Sequence, residues 1–596
     1  MEAIRLSAAR QALRRQVASS LSKNWICRSC RSLPVASRQF TRSQTTSAKP
    51  YYVTTPIFYV NAAPHVGHMY SMVLADVLKR WQALEGKRAT LLTGTDEHGM
   101  KVQKAAALED MAPKEFCDAN AAKFKALAQK ASVSFDRFIR TTDTDHVQAV
   151  EHFWFLLREK GLIYKRKHSG WYCVSDECFY PESQIEKKQD PFTGEVFMAS
   201  VETGNKVEWT EEMNYHFRMT ALKDKLLEFY SKNPEWVVPA TRMNHLVDWV
   251  KNNLEDLSIS RPTERLGWGI RVPDDSSQTI YVWVDALINY ITQAGFPAWA
   301  PGRESEGGWP ADVHVIGKDI LRFHCVYWPA LLLALDLPLP KQILSHAHWT
   351  MDRKKMSKSI GNVVNPMFAM DRWGVDTMRF YMVYDGGISD DADYNNNMIS
   401  QRYKKHLQGG LGNLTGRVAV SKSWNLRTAV KFEGAKFEGP NAFGGLLAPI
   451  ANTSFHEVFI PLHVSMSSVA RVVGMRMQDL NLSGALQYLM DNVNMTNQLI
   501  DKTKPWVLAK DSGNPESEEL LHRTIFMAAE NIRITAILLQ PFMPTKAAEV
   551  LDALGVFKSK RTLEHAKPYT DFDYGSPLVA VEKGQWSGIF PRLLEG

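Results

Sequence analysis

Tyr51-Tyr52-Val53-Thr54-Thr55-Pro56-Ile57-Phe58-Tyr59-Val60 and, directly after it, Asn61-Ala62-Ala63-Pro64-His65-Val66-Gly67-His68 form the stretch whose reading decides the fold. The first part has the β-branched and aromatic composition of a strand, and the part after Val60 turns on Asn, Ala and Pro. Met69 to Trp81 then carries a helical pattern. Gly67 lets a ligand approach the backbone, and a helix start offers free N–H groups to an anion. Two imidazoles three residues apart can reach one phosphate group. Standing alone, such a pair also suits a structural or metal-binding role.

A chain of 596 residues exceeds one hydrophobic core, so several domains are expected. At 45% hydrophobic and 23% charged it has ordinary globular composition, and no window is expected to approach the apolar run of a membrane span. The formal charge of +7 is unevenly placed. Residues 1–47 hold nine basic side chains against Glu2 alone, so the leader carries +8 and the remainder −1. Basicity therefore says little about the rest of the chain. Rich in Arg, Ser and Ala and without an apolar core, the leader reads as a mitochondrial transit peptide, not a secretory signal. Cleavage is expected after Gln39 and again after Ser47, which sends the chain to the matrix. Six scattered Cys exclude a disulfide framework, and Cys27-x-x-Cys30 lies within the leader.

Outward from the opening stretch, strand-like and helix-like segments alternate to about Tyr164. Ala89–Leu92 runs into Thr93-Gly94-Thr95-Asp96-Glu97-His98-Gly99, and helical patterns follow at 101–108, 114–131 and 146–160. Alternation of this kind predicts a parallel, doubly wound α/β sheet with its ligand beyond the carboxyl ends of the strands. Between Leu162 and Ile259 short aromatic strands and polar turns suggest an inserted module. Its two Cys, Cys173 and Cys178, find no further Cys or His between Glu182 and Glu208 to complete a zinc site. Ile280–Tyr290 and Val313–Asp319 each read as a buried strand leading into a helix. The stretch His348–Asn362, with short polar residues, repeated Lys (Lys354, Lys355, Lys358) and a closing Gly361, reads as a mobile cationic loop. Beyond Asn395, Leu486/Leu489/Met490/Val493 and Ile525/Ala528/Ala529/Ile532 recur at helical spacing, which predicts a bundle.

His65-Val66-Gly67-His68 and Lys355-Met356-Ser357-Lys358-Ser359 together resemble the two signature motifs of class I aminoacyl-tRNA synthetases. The first has Val in place of Ile. Thr54–Asn61, Gly94–Gly99, Tyr281–Leu287, Gly317–Ile320 and Lys504-Pro505-Trp506 resemble the methionyl-tRNA synthetase family of the bacterial and organellar type, and the likeness runs from Tyr51 almost to the end. It implies a split Rossmann-like sheet with a small connective insertion, then an all-α anticodon-binding bundle. The expected organisation is a transit peptide at 1–47, catalytic halves at 48–161 and 263–345, the insertion at 162–262, a signature-loop region at 346–395, the bundle at 396–560 and a tail at 561–596.

The resemblance also implies roles. Ile57, Tyr59, Trp283, Ala286, Leu287, Tyr290, Ile320 and His324 would form a methionine pocket. Asp96 would hold the amino group, with Arg261 as its charge partner. His65, Gly67, His68, Lys355, Ser357 and Lys358 would bind ATP with Mg²⁺, and His65, His68, Lys355 and Lys358 would stabilise charge in the transition state. Asn413, Arg417 and Trp506 would read the CAU anticodon of tRNA(Met), whose acceptor end receives the methionine. The implied zinc knuckle is degenerate and expected to be metal-free. No added β-barrel module follows the bundle, so a monomer is expected. The rival from another class is an inactive paralogue serving as an RNA-binding or splicing factor; the intact His, Lys and Asp96 positions count against it.

Overall fold

The computed structural model describes residues 49–190, 193–299, 302–356, 361–437, 455–511, 513–578 and 588–593. The leader, Ser357, Lys358 and the side chain of Lys355 lie outside what it describes. Six parallel strands make the central sheet: β1 (Tyr51–Tyr59), β2 (Ala89–Asp96), β3 (Arg137–Arg140), β4 (Val237–Val238), β5 (Val313–Gly317) and β6 (Gln342–His346). They lie in the order β3-β2-β1-β5-β6-β4. The direction of travel reverses between β1 and β5, which opens a crevice at their carboxyl ends. The edge strand β4 comes from within the 162–262 stretch read as an insertion.

Pro56 sits inside β1 and has no N–H to donate, so the pairing with β2 shifts register between Thr54 and Ile57. Past this irregularity Ile57 faces Gly94 and Tyr59 faces Asp96. Alternation along the strand turns Ile57 and Tyr59 to one face and buries Phe58 on the other. Gly94 is required here, because a Cβ would fall 2.0 Å from the carbonyl oxygen of Ile139.

Helix α1 (Val66–Leu84) follows β1 as predicted, but the segment Ile280–Tyr290, read as a buried strand leading into a helix, is helix from its third residue, within α2 (Val282–Gln293). The preceding strand, Asp275–Ile280, belongs to a separate three-stranded antiparallel sheet. Val282 through Thr292 are buried without exception; Asp285, Asn289 and Thr292 recur at helical spacing, a short polar stripe set among β-branched and aromatic residues of strand composition. Cys173 and Cys178 face each other across the antiparallel strands Ile163–Cys173 and Cys178–Tyr180. The turn between them is closed by Asp176, whose carboxylate accepts from Thr203 Oγ1 at 2.6 Å and Asn205 Nδ2 at 2.7 Å.

The carboxyl-terminal region is helical: α3 (Val375–Asp385), α4 (Asn413–Ala419), α5 (His456–Gln478), α6 (Leu482–Thr503) and α7 (Pro515–Leu539) are its main members. Helix α5 corrects the membrane expectation. By length and a hydropathy of 1.4 it is apolar enough to cross a bilayer. Here Phe459, Leu462, Met466, Val469, Val473 and Met477 form a buried stripe of the kind a bundle helix presents, and α5 packs on α6.

A fully buried guanidinium joins these parts. Arg379 of α3 donates to Asp76 of α1 at 2.6 Å and to the carbonyls of Ala131, Pro541 and Phe542. Asp76 also accepts from Arg80 and from the Ser134 N–H. Arg379→Met should lower stability by about 3–5 kcal/mol, because it takes one of two cations from a buried carboxylate and leaves the carbonyls of Ala131, Pro541 and Phe542 without that donor. The thermal midpoint should fall and should recover partly in Asp76→Asn/Arg379→Met; an unchanged midpoint in the single variant would remove the joint from the account.

Candidate active site

The crevice between β1 and β5 deepens into a cavity of about 730 Å³. Its phosphate-like half is built by the start of α1. His65 is the N-cap of that helix, and its Nδ1 accepts from the Gly67 N–H at 3.0 Å. His68 Nδ1 in turn accepts from the His65 N–H at 3.0 Å. This reciprocal cap is the arrangement usually made by Ser and Glu, here made by two imidazoles. It decides the tautomer: with each Nδ1 accepting, the proton of a neutral ring sits on Nε2. Burial, and then the neighbouring His65, hold His68 well below the usual imidazole range, so it is neutral. Phe58 and Phe124 pack edge-on against it at 5.1 and 5.0 Å. A Cβ at position 67 would lie 2.8 Å from the His65 ring, so the Gly keeps the cap possible. Val66 is fully buried, and its N–H reaches the Val364 carbonyl at 3.3 Å.

The second half is a slot walled by Ile57, Tyr59, Trp283, Ala286, Leu287, Tyr290, Ile320 and His324. Trp283 stacks on Phe323 at 3.7 Å and meets Tyr59 edge-on. A π-helical turn at Phe323–Tyr327 turns His324 inward. His324 Nδ1 donates to the Ile320 carbonyl at 2.9 Å, so Nε2 accepts from the Tyr290 hydroxyl at 2.7 Å. Burial pushes its pKa down to about 4, which leaves a neutral wall.

Asp96 closes the slot. It is 2% exposed, and its Oδ1 has no hydrogen-bond partner. Burial, then the carboxylates of Asp285, Glu177 and Glu97, hold its carboxyl well above the usual range. A buried acceptor left open in this way fits a ligand that brings its own cation. Asp285 behaves oppositely. Burial pushes its carboxyl up, but His98 at 2.6 Å and His146 at 2.8 Å outweigh it and hold the pKa low.

Of the ten side chains read as an amino-acid pocket, nine line this cavity together with His65, Gly67 and His68. Arg261 is the exception. It lies behind Tyr281, donates to Ser258 and Ser260, and makes no contact with Asp96. Its sequence neighbourhood gave no sign of which side of the Tyr281 wall it takes. Met356 and Val363 border the cavity on either side of residues 357–360. The hairpin of Trp349–Met351 and Lys354–Lys355 delivers the chain there, and Asp393 pins it through Thr350 Oγ1 and the Arg353 N–H. The sequence reading missed Lys101, Asp319, His346 and His348, which also line the cavity. His346 ends β6 on the ligand side of the sheet, and His346 Nε2 meets Ser71 Oγ of α1 at 2.7 Å. Its place at a parallel strand's carboxyl end was the available signal.

Far along the chain, Asn413 and Arg417 are exposed on α4, and Arg417 meets Asp501 of α6 at 3.3 Å. Helix α6 ends at Lys504 in a left-handed conformation (φ 48°), and Trp506 beyond it is 41% exposed. Among the described residues no group of three or more His, Cys, Asp or Glu is placed to hold a metal ion.

Paired imidazoles opening a helix, on a parallel sheet that reverses its strand order at that point, mark the catalytic core of a class I aminoacyl-tRNA synthetase. The profile described as tRNA synthetases class I (M) matches residues 51–419. The chain belongs to the methionyl-tRNA synthetase family. A probable mitochondrial methionine–tRNA ligase of Neurospora crassa is 60% identical over 602 residues, covering 99% of this chain and 94% of the relative. The mitochondrial methionine–tRNA ligase of Homo sapiens is 39% identical over 91% of this chain and 90% of its own length. Among solved structures, Mycobacterium tuberculosis methionyl-tRNA synthetase in complex with methionyl-adenylate superposes with a TM-score of 0.79 at 36% identity, covering 91% of this chain and 100% of that one.

Proposed function

We propose that this chain is a mitochondrial methionine–tRNA ligase that makes methionyl-adenylate at the β1–β5 crevice and passes the methionyl group to tRNA(Met). The observation that carries this reading is the shared cavity. An apolar, thioether-sized slot with one open buried carboxyl oxygen adjoins two imidazoles that present Nε2–H donors.

In this reading the methionine side chain lies among Ile57, Tyr59, Trp283, Leu287, Tyr290 and Ile320, where polarizable sulfur meets aromatic rings. Asp96 takes the ammonium group. The carboxylate is then directed toward the α-phosphate of ATP, which enters as its Mg²⁺ complex. A carboxylate oxygen attacks phosphorus, the bond to the bridging oxygen breaks, and pyrophosphate leaves with that electron pair. No protein nucleophile is required. His65 and His68 donate from Nε2–H to oxygens that gain charge, and Lys355 and Lys358 complete the cationic surround. The adenylate carbonyl is next attacked by the 2′-hydroxyl of the terminal adenosine, and AMP departs. A neutral His68 suits this work, because it donates without placing positive charge beside the methionine ammonium.

Anticodon recognition is assigned to Asn413, Arg417 and Trp506, since an exposed indole and polar groups at one end of a bundle can stack and pair splayed bases. Asp176 holds the Cys173–Cys178 turn by hydrogen bonds, which supports a metal-free insertion. Monomeric assembly and matrix location complete the reading. Its test is amino-acid-dependent ATP–pyrophosphate exchange across all twenty amino acids: methionine alone should support it, and an absent or methionine-independent signal would sink the proposal.

Two further outcomes are expected. Because burial and neighbouring carboxylates raise the Asp96 pKa in the empty slot, a bound ammonium should lower it and release a proton in the pH window between the two values. Methionine affinity should therefore rise with pH up to the raised pKa of Asp96, and calorimetry in buffers of different ionisation enthalpy should register the release. A pH-independent affinity without proton release would contradict the assignment. Trp506→Ala should cut aminoacylation by about tenfold to a hundredfold, the loss of one stacked base, and leave pyrophosphate exchange intact. Equal loss of both would point to misfolding.

A further inference from the structure

Behind the Tyr281 wall lies a second cavity of about 290 Å³, separate from the methionine slot. Five of the residues lining it carry a buried donor atom with no acceptor: Arg261 Nε, Arg322 Nε, Trp171 Nε1, Trp249 Nε1 and the Tyr281 hydroxyl. Two of the five are permanent cations. Arg261 is 1% exposed and Arg322 is 8% exposed.

Their charge is poorly answered. Arg261 donates only to neutral groups, Ser258 Oγ at 3.0 Å and the Ser260 carbonyl at 2.7 Å among them. Otherwise it rests among the rings of Tyr172, Phe179 and Tyr281, 4.7–5.1 Å from their centres. Glu177 acts on it only at longer range, its oxygens being taken by the Lys101 N–H and the Tyr172 hydroxyl. Arg322 meets Glu202, a carboxylate 45% exposed, at 3.4 Å and Cys178 Sγ at 3.7 Å. Glu182 and Glu255 at the cavity's edge are exposed, and Asp256 is occupied by Thr220 and Tyr164. A guanidinium taken from water without a counter-charge is costly. Aromatic faces offset part of that cost, and so many donors without acceptors call for a ligand rich in acceptors.

We propose that this cavity is a binding site for a small oxyanion, a phosphate or carboxylate group held between Arg261 and Arg322 with the two indole N–H groups and the Tyr281 hydroxyl completing its shell. The site communicates with the methionine slot by direct packing. Arg322 precedes Phe323, which stacks on Trp283, and Tyr281 precedes the first turn of α2. An occupant would thus steady the wall that methionine touches from the other side. The depth of both guanidiniums favours a free small anion over a phosphate of the tRNA strand.

Equilibrium dialysis of labelled inorganic phosphate against the full chain tests this, with methionine and a non-hydrolysable ATP analogue present to fill the phosphate positions beside His65 and His68. One phosphate per chain is expected. Arg322→Met should weaken binding by about tenfold or more, the loss of one charged hydrogen-bond partner. Trp249→Phe keeps the packing and removes one donor, so it should weaken binding by about threefold to tenfold, which keeps the test open should the Arg variant fold poorly. No bound phosphate, or affinity unchanged in both variants, would overturn the proposal. Saturating tRNA should leave the phosphate in place; its displacement would assign the cavity to the RNA backbone and overturn the free-anion reading.

Discussion

The Arg379–Asp76 pair is the contact on which the rest of the architecture depends. One face of α1 must present His65 and His68 to the crevice, so the helix has to be gripped from its other side. Asp76 lies two to three turns beyond the histidines, and its carboxylate is fully buried and shared by Arg379, Arg80 and the Ser134 N–H. Arg379 in turn spends its remaining donors on three carbonyls, two of them at the corner after α7. Apolar residues would pack this space at lower desolvation cost, but they would not fix the angle and height of one element against another. Here the site helix, the bundle and the corner at Ala131 share one hydrogen-bonded node.

From that node the site follows by short steps. Proline in β1 breaks the ladder with β2 where the strand must begin to serve a ligand, and the shift brings Tyr59 alongside Asp96. Three residues past the turn, the imidazole cap fixes two rings with the same backbone N–H groups that a bound anion would otherwise claim. The cap therefore exchanges direct backbone recognition of phosphate for two oriented Nε2–H donors. That exchange is available only to a side chain that accepts at one nitrogen and donates at the other.

Much of this was legible beforehand, and the misreadings have physical causes. The pattern of β1, α1 and β2 is local, so strand, turn and helix could be read from composition and spacing. Nine slot residues could be placed through the family likeness of their segments, although four of them ride on α2, which follows a strand of a different sheet. Arg261 could not, because the side of Tyr281 on which it packs is a tertiary choice. The segment Ile280–Tyr290 misled because its β-branched and aromatic residues favour a strand, while the polar stripe of Asp285, Asn289 and Thr292 is short and buried. The network of Asp285 with His98 and His146 joins residues more than a hundred positions apart, which no local window sees. Helix α5 was missed in another way: no run of membrane-span apolarity was expected, yet this helix has one, and its packing is that of a bundle.

The carboxyls of Asp96 and Asp285, distant in the chain but electrostatic neighbours in the fold, show how one structure separates two charge states. Asp285 is as buried as Asp96, yet it is held ionised because two imidazoles satisfy both of its oxygens. Asp96 has an open oxygen and that ionised neighbour, and both conditions favour the protonated form. A site meant only to store negative charge would have paired Asp96 as it paired Asp285. Leaving it open raises the Asp96 pKa in the empty slot, so a cation that fills the open oxygen would lower that pKa again, and in the proposed reading a ligand lacking an ammonium group gains little from it.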